Sequence, residues 1–160
     1  MKQLRNRWVV GIGGIGVATA LLLAGCSRTT QKAQAREESH LKKLAVLYMQ
    51  YAAQHRGQGP ASEAEFKSFV RSLPEAQRKS LGIEDVDALF ISERDGKPYV
   101  IVYGVKGAAA PGPGGAGAAP VIGYEQVGQG GSRYVANSLG ALELLDEAAF
   151  RQRVPGGKTQ

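Results

Sequence analysis

The stretch VIGYEQVGQGGSRYVANSLGALELL, residues 121–145, decides the fold. Its apolar runs, 121–127, 133–137 and 141–145, are separated by Gly128, Gly130 and Gly131 and then by Leu139-Gly140. Valine, isoleucine and tyrosine fit a pleated, half-buried surface, and glycine supplies the positive φ of tight turns. Short runs at this spacing read as successive antiparallel strands. Upstream, 88–92 and 99–103 are two more such runs, flanking Glu93-Arg94-Asp95-Gly96-Lys97-Pro98. Asp95-Gly96 predicts a hairpin with a type I′ turn, which needs positive φ at both central residues. Five antiparallel strands are expected.

Working outward, Asp146 is expected to cap a short last helix ending at Arg153, with Ala149 and Phe150 facing inward, and residues 155–160 read as a disordered tail. Residues 107–120, GAAAPGPGGAGAAP, contain only glycine, alanine and proline. Such a segment cannot bury a core and reads as a mobile surface loop with no side chain for chemistry. On the N-terminal side the period changes from two to about 3.6. Over 36–56, Leu41, Leu44, Tyr48, Tyr51 and His55 recur at spacings of three and four, with Ala45, Leu47 and Ala52 beside them. That is the buried stripe of an amphipathic helix, stopped by Gly57, Gly59 and Pro60. Tyr48 and Tyr51 as a ligand platform is the sharper alternative to their serving as core. Ser62 with Glu65 has the spacing of a capping box, opening a second helix lined by Phe66, Phe69, Val70 and Leu73. Pro74 ends it or begins a further turn over 75–80. Helices followed by strands and a closing helix make the class α+β, with N-terminal amphipathic helices packed on a small antiparallel sheet.

The first 25 residues have a different composition. Lys2, Arg5 and Arg7 form a basic head, no acid precedes Glu37, and 8–25 are uncharged up to Cys26. Basic head, apolar middle and small residues before a cut are the layout of an export signal. Leu23, Ala24, Gly25 and Cys26 resemble the lipobox read by lipoprotein signal peptidase. The resemblance implies that the Cys26 thiol is diacylated and the chain cut before it, giving a signal peptide (1–25), a lipidated cysteine with a polar tether (26–35) and one domain (36–154). An uncleaved membrane anchor is the alternative, although eighteen residues with five glycines make a short, poor span. A pilin-type leader is less suitable, because those segments carry a Glu soon after the cut. Cys26 is the only cysteine, and attachment to lipid accounts for an unpaired thiol in an exported chain. Each buried methylene adds about 0.8 kcal/mol, so two or three acyl chains hold stably where one is marginal. The expected address is the cell envelope, with the domain facing periplasm or exterior. Ser27, where Asp would signal inner-membrane retention, favours the outer membrane.

Charge excludes some partners. Of 20 basic residues three lie in the signal, which leaves seventeen against 14 acids, a net +3 on the mature chain. No basic cluster interleaves with aromatics, so no nucleic-acid partner is expected. His40 and His55 are the only histidines, and fifteen residues of helix set them about 22 Å apart, too far to share a metal. His40 reads as solvated, His55 as a last-turn residue interacting with the helix dipole. Glu84, Asp85, Asp87, Glu93 and Asp95 form an acidic group, but calcium-loop spacing is missing and no metal or other cofactor is expected. No serine stands in a G-x-S-x-G setting, and Gly11-Ile12-Gly13-Gly14-Ile15-Gly16 has no preceding strand to make it a dinucleotide loop. Paired carboxylates for glycoside cleavage are the remaining hydrolase option. The expectation is a non-enzymatic chain that binds another envelope protein or serves a structural role, with Tyr99, Tyr103, Tyr124 and Tyr134 as candidate contacts or core.

Two stretches belong together: His40-Leu41-Lys42-Lys43-Leu44 through Tyr51 with Gly57 and Pro60, and 121–127 with Gly130-Gly131-Ser132-Arg133-Tyr134-Val135, Gly140 and the acidic, helical end. They resemble the periplasmic domains of type II secretion pseudopilin-like proteins, in which a helix precedes a small antiparallel sheet. Better-known members carry Asp-Gly where this chain has Leu139-Gly140, and their apolar assembly helix is replaced here by the export signal. The resemblance therefore implies the fold and an accessory role in a secretion apparatus, and not assembly into a fibre.

Overall fold

A computed structural model describes residues 39–106 and 119–157. Signal, lipobox, tether, most of the glycine-rich stretch and the last three residues lie outside that range. The described chain is α+β. Helices α1 (His40–Gln54), α2 (Glu63–Ser72) and α3 (Glu75–Ser80) and a 3₁₀ turn (Ala88–Phe90) precede strands β1 (Val100–Ile101), β2 (Val121–Tyr124), β3 (Ser132–Asn137) and β4 (Leu142–Asp146), and α4 (Glu147–Arg153) closes the chain. The strands form one antiparallel meander in the order β1-β2-β3-β4.

Three of the four helices, α1, α2 and α4, start where a side chain satisfies a free backbone N–H group. Ser39 accepts from the N–H of Lys42, Ser62 from that of Glu65 and Asp146 from that of Ala149. The capping box is modified: Glu65 reaches back to the N–H of Ala61, one residue before the cap itself. Along α1 the expected stripe is buried, namely Leu41, Leu44, Ala45, Leu47, Tyr48, Tyr51 and Ala52. It packs between the sheet, through Ile122, Ala136 and Leu142, and α2, through Phe66 and Val70. Phe66 joins the layers, with its ring edge-on to Tyr48 at 5.7 Å and to Phe90 at 5.6 Å. Tyr48 and Tyr51 are both buried, as the core reading expects. The Tyr48 hydroxyl donates to the Val102 carbonyl and accepts from the Val105 N–H. A Cβ on Gly59 would fall 2.0 Å from that hydroxyl, so only glycine lets the chain pass there. On the opposite sheet face Phe150 of α4 packs against Tyr124 and Val135.

Four expectations are corrected. The sheet has four strands, because Ala88–Phe90 form a 3₁₀ turn and Ile91 makes only a single bridge, to Pro98. Leu89 and Phe90 are adjacent and both enter the core cluster beside α1 and α2, whereas a strand would send neighbouring side chains to opposite faces. The 92–97 connection is not type I′. Only Gly96 has positive φ (67°), and the turn closes through Gly96 N–H to Ser92 O and Ser92 N–H to Lys97 O. The C-terminal tail begins ordered, since the Gly157 N–H bonds to the Val154 carbonyl. His40 is half-buried, not solvated: its Nδ1 donates to the Ile91 carbonyl (3.0 Å) and its Nε2 lies 3.4 Å from Glu93. His55 stands at the C-terminal turn as expected, its ring stacked on Tyr51 and bonded to the Tyr51 carbonyl.

Candidate binding groove

The site begins with an irregularity in β2. Val121 pairs with Asn137 but Gly123 pairs with Ala136, so Ile122 is an extra residue, a β-bulge. Past the bulge the alternation is reversed. Tyr124 turns to the α4 face, and Glu125 turns to the α1 face, just beyond the start of α1. There the Glu125 carboxylate is 1% exposed and fully engaged. It accepts from Arg94 Nη1 (2.7 Å), the Tyr134 N–H (2.8 Å) and the Ser92 hydroxyl (3.3 Å). Burial raises its pKa above the ordinary 4.5, outweighing the Tyr134 N–H and the Arg94 charge, which act the other way.

Arg94 links two turns. Besides Glu125 it donates through Nη2 to the Gln129 carbonyl (3.1 Å), and its guanidinium lies 4.5 Å above the Tyr134 ring. Asp95 fastens the same turns, accepting from the N–H groups of Gly128 (2.7 Å), Val127 (3.2 Å) and Lys97 (3.0 Å). Burial alone would raise the Asp95 carboxyl, but these N–H groups together hold it below its usual range. The 92–97 turn and the β2–β3 turn are thus clamped by charge-assisted hydrogen bonds, not by an apolar contact.

The clamp forms one wall of an open groove of about 830 Å³. Tyr134 and Leu144 supply sheet side chains, Glu93, Arg94 and Tyr99 stand along one side, and Ser39 lies where the described chain begins. Glu93 is occupied by the His40 N–H (2.8 Å) and the Tyr99 hydroxyl (2.9 Å). Burial, then the Glu93 charge, pushes the Tyr99 hydroxyl well above its ordinary value. Both carboxylates of the groove therefore have protein partners. That arrangement suits recognition by shape and hydrogen bonding.

The expected site residues Leu23, Ala24, Gly25 and Cys26 lie outside the described residues. The acidic group is dispersed. Asp87 pairs with Lys67 (2.9 Å) and Arg71 (3.0 Å), Asp85 accepts from the Asp87 N–H, and Glu93 and Asp95 serve the contacts above. Among the described residues no three histidine, cysteine, aspartate or glutamate side chains group as metal ligands, and no helix is long and apolar enough to cross a membrane. Of the four tyrosines, Tyr99 and Tyr124 are buried, while Tyr103 and Tyr134 are half-buried. Glu125 and Arg94 were not candidates from sequence, and only the presence of an acid within the apolar run 121–127 pointed to Glu125. No family model, curated protein or solved structure matches the chain.

Proposed function

We propose that this chain is a lipoprotein of the cell envelope, attached through acylated Cys26, whose α+β domain binds another envelope component without catalysis. The observation that carries the reading is the order basic head, uncharged stretch, Leu23-Ala24-Gly25-Cys26, followed within the chain by a packed domain whose first described helix is capped by Ser39. Only twelve residues intervene between Cys26 and Ser39, so even a fully extended chain keeps the domain within about 45 Å of its lipid. The groove beside Ser39 would then open near the bilayer, where a partner in the same membrane can reach it. Committed carboxylates in that groove support binding over hydrolysis. Lipid labelling with membrane fractionation tests this, comparing the natural chain with Cys26→Ser. Loss of both label and membrane retention in the variant is the expected result. Retention without label in the natural chain means an uncleaved anchor.

A second reading, an accessory pseudopilin-like subunit of a type II secretion apparatus, draws on one observation. The fifteen-residue helix α1 precedes the antiparallel meander in the chain and packs along one face of it. Co-purification of secretion components with the membrane-extracted chain is its test, and their absence leaves the first reading.

A further inference from the structure

The two edges of the sheet are unlike. β1 has two residues, is flanked by Pro98, and continues past Ile101 only through isolated contacts. Short strands and proline are the usual defences of an edge against foreign strands. β4 has neither. Its five residues, LELLD, contain no lysine, proline or glycine, and its register with β3 runs from Ala136–Leu142 to Ser132–Asp146 without a bulge. Leu144 is 49% exposed. Among the described residues β4 pairs with β3 alone, and α4 covers a face of the sheet, not this edge.

Hydrogen-bond phase fixes which backbone groups are free. The Asn137 N–H bonds to the Ala141 carbonyl, so the antiparallel alternation gives Glu143 and Leu145 to β3. The N–H and C=O groups of Leu142 and Leu144 then point outward. We infer that β4 pairs with β4 of a second copy of this chain, antiparallel about a two-fold axis at Leu144, extending two sheets into one. In this register Leu144 exchanges both backbone hydrogen bonds with its mate. Glu143 faces Leu145 of the other copy and Asp146 faces Leu142, so no like charges oppose. Centring the axis on Glu143 instead would pair the same outward groups, Leu142 with Leu144, but would set two carboxylates directly against each other. Centring it on Leu142 would set Leu144 against Gly140, which lies in the turn with φ 75°. The Leu144 axis alone pairs all five strand residues in phase with no like charges opposed, and this self-complementarity selects a second copy as the occupant. A five-residue contact is small beside the ~1,200 Å² of stable interfaces, so the dimer is weak and concentration-dependent.

Sedimentation of the full-length chain in detergent, over a wide concentration range, tests the pairing alongside Leu144→Lys and Leu139→Lys. Leu139 is 53% exposed on the β3–β4 turn, outside the strand. The expected result is a reversible dimer that Leu144→Lys weakens about tenfold or more, because two lysines oppose at the axis, and that Leu139→Lys leaves unchanged. Hydrogen exchange on the unaltered chain gives the same answer without a variant: the amides of Leu142 and Leu144 slow as concentration rises. A monomer throughout with concentration-independent exchange overturns the proposal. So does a dimer that tolerates Leu144→Lys, or a photocrosslinker at position 144 that captures only a different protein.

Discussion

The α1 face of the sheet changes character along its length. Under α1, Leu41, Leu44, Tyr48 and Phe66 meet Ile122, Ala136 and Leu142 in a contact that excludes water and needs no partner chemistry. Beyond the start of α1 the same face carries Glu125, Ser92, Arg94 and Tyr134, joined by hydrogen bonds and a cation over a ring. The first region gains stability roughly with apolar area, at about 25 cal/mol per Å², and is tolerant of which atoms supply it. The second holds together only while every partner is present, since a buried carboxylate without one costs far more than the pair returns. One sheet can thus carry both a foundation and an open, polar groove, because the bulge at Ile122 reverses the alternation between them.

Removing apolar bulk from the foundation has the largest expected effect. Phe66→Ala deletes a 0% exposed ring that touches both Tyr48 and Phe90, and costs about 3–5 kcal/mol by urea or thermal unfolding. In the polar region, Arg94→Ala leaves Glu125 buried with its cation gone and costs roughly 2–3 kcal/mol at neutral pH. A loss as large as that of Phe66→Ala would mean that the clamp and the core are one cooperative unit.

The pH dependence sharpens the contrast, because only the polar region holds a buried acid. The folded-state pKa of Glu125 is raised, so its contribution to stability is complete below the ordinary 4.5 and declines as pH rises through the folded value. Glu125→Gln keeps a side-chain oxygen for the Tyr134 N–H and removes the charge. Unfolding free energies measured from pH 4 to pH 8 are expected to show a flatter profile for the variant across that window. An unchanged slope would place the titration elsewhere. Smaller still, Ser62→Ala removes the α2 cap and costs about 1 kcal/mol, independent of the groove. Lys79→Ala breaks an exposed pair with Glu75 and changes stability by no more than about 0.5 kcal/mol.

The same division explains what could be read from the chain alone. Periodicity exposed α1 and its buried stripe, and local chemistry placed the caps at Ser62 and Asp146, because those signals lie within a few residues of one another. The strand assigned to residues 88–92 failed, since an apolar run does not say whether adjacent side chains alternate or share a side, and Leu89 and Phe90 share one. The clamp was illegible for a different reason. Arg94 and Glu125 are 31 positions apart, and whether Glu125 faces the groove depends on a bulge that nothing in VIGYEQ announces.

The central claim, that lipid on Cys26 holds this domain at a membrane, is tested most directly by the intact mass of the full chain purified from membranes. The expected species is a polypeptide beginning at Cys26, heavier than its sequence by a diacylglyceryl group, with or without a third acyl chain. A polypeptide that retains residues 1–25 with an unmodified Cys26 would contradict it.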